Sequence, residues 1–69
     1  MTVKEFLSKT VDSYIDLAIC EYKGDDLQRR ITAEKHKWFC ADIPDDLKEK
    51  EIASIIPYYS RIVIEVNAE

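Results

Sequence analysis

The chain has 69 residues, of which 14 are acidic and ten basic, so its formal net charge is −4, and 46% of the residues are hydrophobic. A chain of this length has room for one small core, so residues 1–69 are predicted to form a single domain. The longest uncharged stretch, residues 52–60, is far shorter than the roughly 20 apolar residues that cross a bilayer, which argues against a membrane span. The negative charge argues against direct nucleic-acid binding.

The first residues and the cysteines both indicate the compartment. Lys4 and Glu5 stand where a secretion signal would need an apolar run. Cys20 and Cys40 lack the dense, even spacing of a secreted disulfide framework. We therefore expect a cytoplasmic protein with reduced cysteines.

The first segment has the pattern of a helix start. Thr2 and Glu5 have the spacing of a capping box, in which each side chain bonds the backbone amide of the other residue. Apolar residues then recur at helical spacing. This pattern predicts a helix over residues 3–10.

A hairpin is predicted next. Apolar and polar residues alternate over residues 14–22, as in a half-buried strand. The only glycine, Gly24, lies in a Lys-Gly-Asp-Asp sequence where a positive φ costs little. The chain is therefore predicted to turn there into a second strand over residues 27–34.

The second half of the chain predicts another helix and another hairpin. Residues 35–42 fit either an extended strand or a loop that folds its aromatic residues onto the core, and both interpretations stay open. A proline and two aspartates at 44–46 suit the first turn of a helix, predicted over residues 45–51. A break at 57–60 then precedes a strand over residues 61–66.

These elements predict an α+β fold in the order α-β-β-α-β-β. Two hairpins would form an antiparallel sheet of about four strands, and two short amphipathic helices would pack on one face of it.

Three stretches of this layout resemble small uncharacterised proteins of phages and prophages of Firmicutes. They are TVKEFL at 2–7, the IPxxL pattern at 43–47 and IVIEV at 62–66. The resemblance spans most of the chain and implies no established activity. Some small phage proteins inhibit host defence. The similar size and style of this chain suggest the same role by analogy.

Acidic residues gather in and before the second predicted helix. Such a row of carboxylates can steer a basic partner, and aromatic residues often anchor protein interfaces. The leading hypothesis is an accessory protein that binds a host protein, as an inhibitor of a defence or nucleic-acid-handling enzyme. Its candidate contacts are the charges of Asp42, Asp45, Asp46 and Glu49 and the rings of Trp38, Tyr58 and Tyr59. A purely structural interpretation is that the charges complement the helix dipole and the rings fill the core.

A basic island supports an alternative function. Residues 27–37 sum to +3, whereas the flanking segments sum to −3 and −4. Cations beside ring faces can bind phosphate and stack on a base. The alternative is a homo-oligomer that sequesters an anionic nucleotide, with Trp38 as the stacking residue. Its candidate anion-binding residues are Arg29, Arg30, Lys35 and Lys37. A purely structural interpretation is that these charges lie on a solvent-exposed edge of the hairpin, where they oppose pairing with another strand.

Metal and enzyme chemistry find little support in the sequence. His36, Cys40 and the distant Cys20 lack the short paired spacing of a structural zinc site. No glycine-rich loop supplies oxyanion donors beside a cysteine nucleophile. We predict no metal, no cofactor and no enzymatic activity.

Overall fold

A computed structural model of the chain describes residues 1–9, 14–38 and 42–68. Within these residues the element order is α-β-β-α-β-β, which confirms the predicted α+β fold. The elements are α1 (Val3–Lys9), β1 (Asp16–Lys23), β2 (Asp26–Ala33), α2 (Asp45–Lys48), β3 (Ile52–Tyr58) and β4 (Arg61–Asn67).

Helix α1 begins with the predicted capping box. The Thr2 amide donates to the Glu5 carboxylate at 3.0 Å, and the Glu5 amide donates to the Thr2 hydroxyl oxygen at 3.1 Å. The hydrogen bond from the Thr2 amide favours the charged carboxylate and holds the pKa of Glu5 below its ordinary value.

Helix α2 is shorter than the predicted range of 45–51. Residues 50–52 leave the helix because their backbone pairs with the first residues of the chain. The Val3 amide donates to the Lys50 carbonyl at 3.0 Å, and the Ile52 amide donates to the Met1 carbonyl at 2.8 Å. These bonds direct the chain into β3.

The four strands form one sheet in the order β2-β1-β4-β3. Both hairpins are antiparallel as predicted, but the central strands β1 and β4 run parallel. The prediction of an antiparallel sheet throughout is therefore wrong at its centre. The connection through α2 carries the chain from one edge of the sheet to the other, so the second hairpin places β4 beside β1 in the same direction.

The second hairpin also turns later than predicted. Pro57 does not break the strand; it pairs with Ile62, and the turn consists of Tyr59 and Ser60. A proline is tolerated in an edge strand when its nitrogen faces away from the neighbouring strand, and β3 is an edge strand.

The core lies between one face of the sheet and the two helices. We call this the inner face, and it carries Leu17 and Ile19 of β1, while Ala18 and Cys20 lie on the outer face. The buried cluster comprises Val3, Leu17, Ile19, Ala33, Trp38, Ile43, Leu47, Ile64 and Val66. No helix in the described part of the chain is long and apolar enough to cross a membrane.

Residues 35–38, which the sequence left open, form a loop. The Lys35 amide donates to the Asp16 carboxylate at 2.9 Å, and the Lys37 amide donates to the Glu34 carbonyl at 3.0 Å. The loop brings Trp38 onto the core. Of the remaining residues of this segment, Asp42 is described, whereas residues 39–41 lie outside the described residues.

Candidate protein-binding surface

The acidic candidates surround α2, and they are not equivalent. Asp42, Asp45 and Glu49 are exposed, and the Asp45 side chain is 100% accessible. Asp46 instead accepts two hydrogen bonds from Arg29, at 2.6 and 3.3 Å. All four carboxylates are exposed, but Asp46, with 65% of its side chain accessible, is engaged in a contact of the fold, and Asp45 Oδ1 lies 3.9 Å from Lys48 Nζ.

Behind Asp46 lies a buried ion network centred on Glu21, which is only 5% exposed. The guanidinium of Arg29 donates to both oxygens of this carboxylate, at 2.7 and 3.0 Å. Lys50 Nζ lies 3.6 Å from the same carboxylate. Sequence reasoning missed Glu21, although a charge on the apolar side of an alternating strand is a signal for a buried ion pair.

The network shifts the proton affinities of its members. Hydrogen bonds from Arg29 hold the pKa values of Glu21 and Asp46 below their ordinary values, although desolvation opposes the shift. The same bonds raise the pKa of Arg29. All three groups are therefore charged at neutral pH, and they bind one another.

The basic candidates do not converge on one point. Arg29 lies on the inner face in the ion network, whereas the next residue, Arg30, is exposed on the outer face. Lys35 and Lys37 follow the far end of β2, and the Lys37 ammonium lies 3.6 Å from the Glu34 carboxylate. No pair of these four cations is brought together in a described contact.

Trp38 belongs to the core and is not an exposed anchor. Its side chain is buried, with the residue 7% exposed, and its indole N–H donates to the Ile15 carbonyl at 3.0 Å. Its ring stacks on Phe6 at a centroid distance of 6.2 Å. In this conformation Trp38 can neither contact a partner nor stack on a nucleotide, so its predicted binding role is corrected to a structural one.

Tyr58 and Tyr59, which we call the tyrosine turn, are the exposed members of the predicted aromatic set. They are 59% and 93% exposed, and their rings meet edge to face at a centroid distance of 4.7 Å. Tyr59 has a φ of 55°, in the left-handed region that favours glycine and asparagine. The turn thus holds two rings in solvent on a backbone that suits a smaller residue.

The tyrosine turn and the exposed carboxylates lie at opposite ends of the sheet. The Asp16 amide, at the start of β1, donates to the carbonyl of the turn residue Ser60 at 3.1 Å. Of the acidic candidates, Asp46 is joined through Arg29 to Glu21, which lies five residues further along β1, about 17 Å away at the rise of a strand. The residues predicted as one partner-binding site therefore form two separate surfaces.

The three residues considered and rejected as zinc ligands can be placed only in part. His36 and Cys20 are described, whereas Cys40 lies outside the described residues. Within residues 1–9, 14–38 and 42–68, no group of three or more His, Cys, Asp or Glu side chains is arranged to hold a metal ion.

Comparisons of the chain with protein-family models, with curated proteins and with solved structures found no match. The resemblance to small phage proteins stays a prediction, and function is inferred from the geometry of the chain itself.

Proposed function

We propose that this protein acts by binding another protein, with the tyrosine turn as the centre of contact. The observation that carries the proposal is the combination of 93% exposure and positive φ at Tyr59. A residue with a Cβ in this conformation costs about 1 kcal/mol relative to glycine. A residue whose backbone is strained and whose ring contributes little to the core is better explained by a contact outside the fold.

The geometry of the pair suits such a contact. Tyr58 packs its ring edge to face with Tyr59, which limits the motion of both rings before binding. Tyrosines bring apolar area and a hydroxyl at a low cost in side-chain entropy, and they are enriched among the residues that dominate binding energy. The tyrosine turn therefore presents two exposed aromatic rings that are already ordered before a partner binds.

The exposed carboxylates have a different role in this proposal. Asp45 begins α2, Glu49 caps the end of this helix, and Asp42 precedes it. Asp46 of the same helix contacts the end of the sheet opposite the tyrosine turn. Together with the net charge of −4, the carboxylates of Asp42, Asp45 and Glu49 favour approach to a basic partner and speed its association. The narrower form of the proposal is that the partner is a host defence or nucleic-acid-handling enzyme that this protein inhibits, as the resemblance to small phage proteins suggests.

Nucleotide sequestration has less support from the structure. It would require Arg29, Arg30, Lys35 and Lys37 to gather around phosphates, with Trp38 available for stacking. The cations are dispersed, and Trp38 is buried. A thermal-shift screen with nucleotides distinguishes the two, since a rise in Tm that is lost in an Arg30→Gln variant would favour sequestration.

The main test compares capture by three forms of the protein from a bacterial lysate. The turn variant carries Tyr58→Ser and Tyr59→Asn, and the matched control carries Tyr14→Ser, since Tyr14 is another tyrosine with 80% exposure. We expect the wild type and the control to retain the same proteins and the turn variant to lose them. Equal capture by all three forms would contradict the assignment of the turn.

A second variant separates steering from contact. It carries Asp42→Asn, Asp45→Asn and Glu49→Gln, while Asp46 is left intact because it bonds Arg29. With a captured partner, we expect this variant to associate more slowly at low salt and to dissociate at the wild-type rate. An unchanged association rate would show that these charges have no steering role.

A further inference from the structure

Two non-glycine residues in the described part of the chain have a positive φ, and both lie at the end of the sheet where β1 begins. They are Tyr59, in the tyrosine turn, and His36, with a φ of 63°. A positive φ costs stability in a residue that has a Cβ, so it persists where other contacts hold the backbone in place. The contacts that hold these two segments meet at Asp16.

The segment around His36 is a tight turn that leaves one amide unused. The Lys37 amide donates to the Glu34 carbonyl at 3.0 Å, which closes a four-residue turn with His36 in its third position. A positive φ at this position is typical of a type II turn. The Lys35 amide takes no part in the bond of the turn and donates to the Asp16 carboxylate at 2.9 Å. The Asp16 side chain therefore anchors this turn to the start of β1.

The backbone of Asp16 holds the tyrosine turn. The Asp16 amide donates to the Ser60 carbonyl at 3.1 Å, and Asp16 pairs with Arg61, the first residue after the turn. This bond lies at the beginning of both strands, and strand ends open more easily than strand centres. Asp16 thus joins the Lys35 amide on one side to the tyrosine turn on the other.

A neighbouring bond supports this arrangement. The Trp38 indole N–H donates at 3.0 Å to the carbonyl of Ile15, the residue before Asp16. The start of β1 is therefore held by two bonds from one loop, and the buried Trp38 ring fixes that loop to the core. The strained turn at His36 brings one bond to Asp16 while Trp38 stays in the core.

We infer that Asp16 is a positioning residue for the tyrosine turn. Its carboxylate, held by the Lys35 amide, keeps the bond from the Asp16 amide to the Ser60 carbonyl closed, and this bond keeps the turn ordered. An ordered contact surface loses less conformational entropy when a partner binds, so binding is stronger without any new contact. This consequence for binding rests on the proposed function, whereas the ordering is a property of the free protein.

Amide hydrogen exchange and NMR relaxation on the free wild type test the link first. Within the described residues the Lys35 amide has no backbone acceptor, so its protection depends on Asp16. We expect slow exchange at Lys35 and a backbone order parameter of about 0.85 at Tyr59, as in rigid backbone. Unprotected exchange at Lys35, or an order parameter closer to about 0.6 at Tyr59, would overturn the inference.

The decisive comparison removes the carboxylate. Asp16→Ala deletes the acceptor, whereas Asp16→Asn keeps an oxygen in its place. The matched control is Asp26→Ala, because Asp26 also begins a strand and its side chain makes no described bond. In Asp16→Ala we expect the Lys35 amide to exchange about tenfold faster, as for the loss of one hydrogen bond. The order parameter at Tyr59 should fall towards about 0.6. Asp16→Asn and Asp26→Ala should keep the order of the turn and exchange at Lys35 within about threefold of the wild type.

A merely structural role for Asp16 gives a different result. It would lower Tm in Asp16→Ala without changing the order of the turn in the folded protein. An order parameter at Tyr59 that keeps its wild-type value in Asp16→Ala, or that falls equally in Asp16→Asn, would refute the positioning role. The wild-type measurements test the same link even if Asp16→Ala does not fold.

The failure of this inference is distinct from the failure of the proposed function. The proposed function fails if the wild type and the turn variant capture the same proteins from a lysate. The inference about Asp16 fails in exchange and relaxation measurements that contain no partner. Each result can therefore be assigned to one of the two.

Discussion

Replacement of Glu21 by glutamine tests the buried ion network most directly. Glutamine keeps the shape of the side chain but removes the charge that accepts two hydrogen bonds from Arg29. Its amide nitrogen then faces a guanidinium that can only donate. The matched control is Glu65→Gln in the neighbouring strand β4, because Glu65 is half-buried and makes no described ion pair.

The expected cost follows from the burial and the partners of Glu21. A hydrogen bond to a charged group contributes about 1.5–3 kcal/mol, and a buried partner left unsatisfied adds to the loss. We therefore expect Glu21→Gln to lower the free energy of unfolding by about 2 kcal/mol. A domain of this size has only about 3–5 kcal/mol in total. At about 4–8 °C per kcal/mol, Tm should fall by about 8–16 °C.

The assay is thermal unfolding followed by circular dichroism between neutral and acid pH. The pKa of Glu21 is lowered from its ordinary value of 4.5, so its stabilising effect is complete above that value and is lost as pH falls through the folded pKa. The difference in Tm between wild type and Glu21→Gln should thus be largest at pH 7. It should shrink at pH values below 4.5.

Two results would refute this reasoning. One is a Tm for Glu21→Gln within about 3 °C of that for Glu65→Gln at pH 7, which is the range of an ordinary surface substitution. The other is a difference in Tm that stays constant as the pH is lowered.

Three further predictions concern the core and the two turns. Trp38→Phe should lower the unfolding free energy by about 1–2 kcal/mol, since it removes the hydrogen bond to the Ile15 carbonyl. Denaturant titration measures this change, and an unchanged midpoint would contradict the buried position. Gly24→Ala should cost about 1 kcal/mol in the same titration, because the φ of +62° strains a residue that has a Cβ. No atom lies within 4 Å of the added Cβ, so the backbone alone is strained. A neutral substitution would argue against the turn geometry. Tyr59→Asn should leave Tm equal or raise it by a few degrees, of about the size expected from relief of strain. A clear fall in Tm would mean that the ring against Tyr58 stabilises the fold.

Features that depend on neighbouring residues could be predicted from the sequence. The capping box of Thr2 and Glu5, the turn at Gly24 and the alternation of β1 each involve contacts or conformations within a few residues, so their spacing predicts them directly. The order of the elements followed from the same patterns. The exposure of Tyr59 was also within reach, because a tight turn leaves its residues in solvent.

The ion network escaped prediction for a geometric reason. A regular hairpin turned at Gly24 would place Gln28 opposite Glu21, since Lys23 pairs with Asp26. The register shifts between Glu21 and Tyr22, so that Arg29 takes the position opposite Glu21. One extra residue in a strand exchanges the faces of all residues beyond it, and no local pattern announced this one.

The sequence by itself determined the helix start, the two hairpins and the alternation that separates an apolar from a polar side, because these follow from the period of the backbone and from capping and turn chemistry. Only the tertiary structure decided that β1 and β4 run parallel, that Trp38 is buried and that Asp46 binds Arg29. Each of these contacts joins residues that are distant in the chain. Such contacts are selected by which packing buries the most apolar surface while every buried charge keeps a partner, and that competition involves the whole molecule at once.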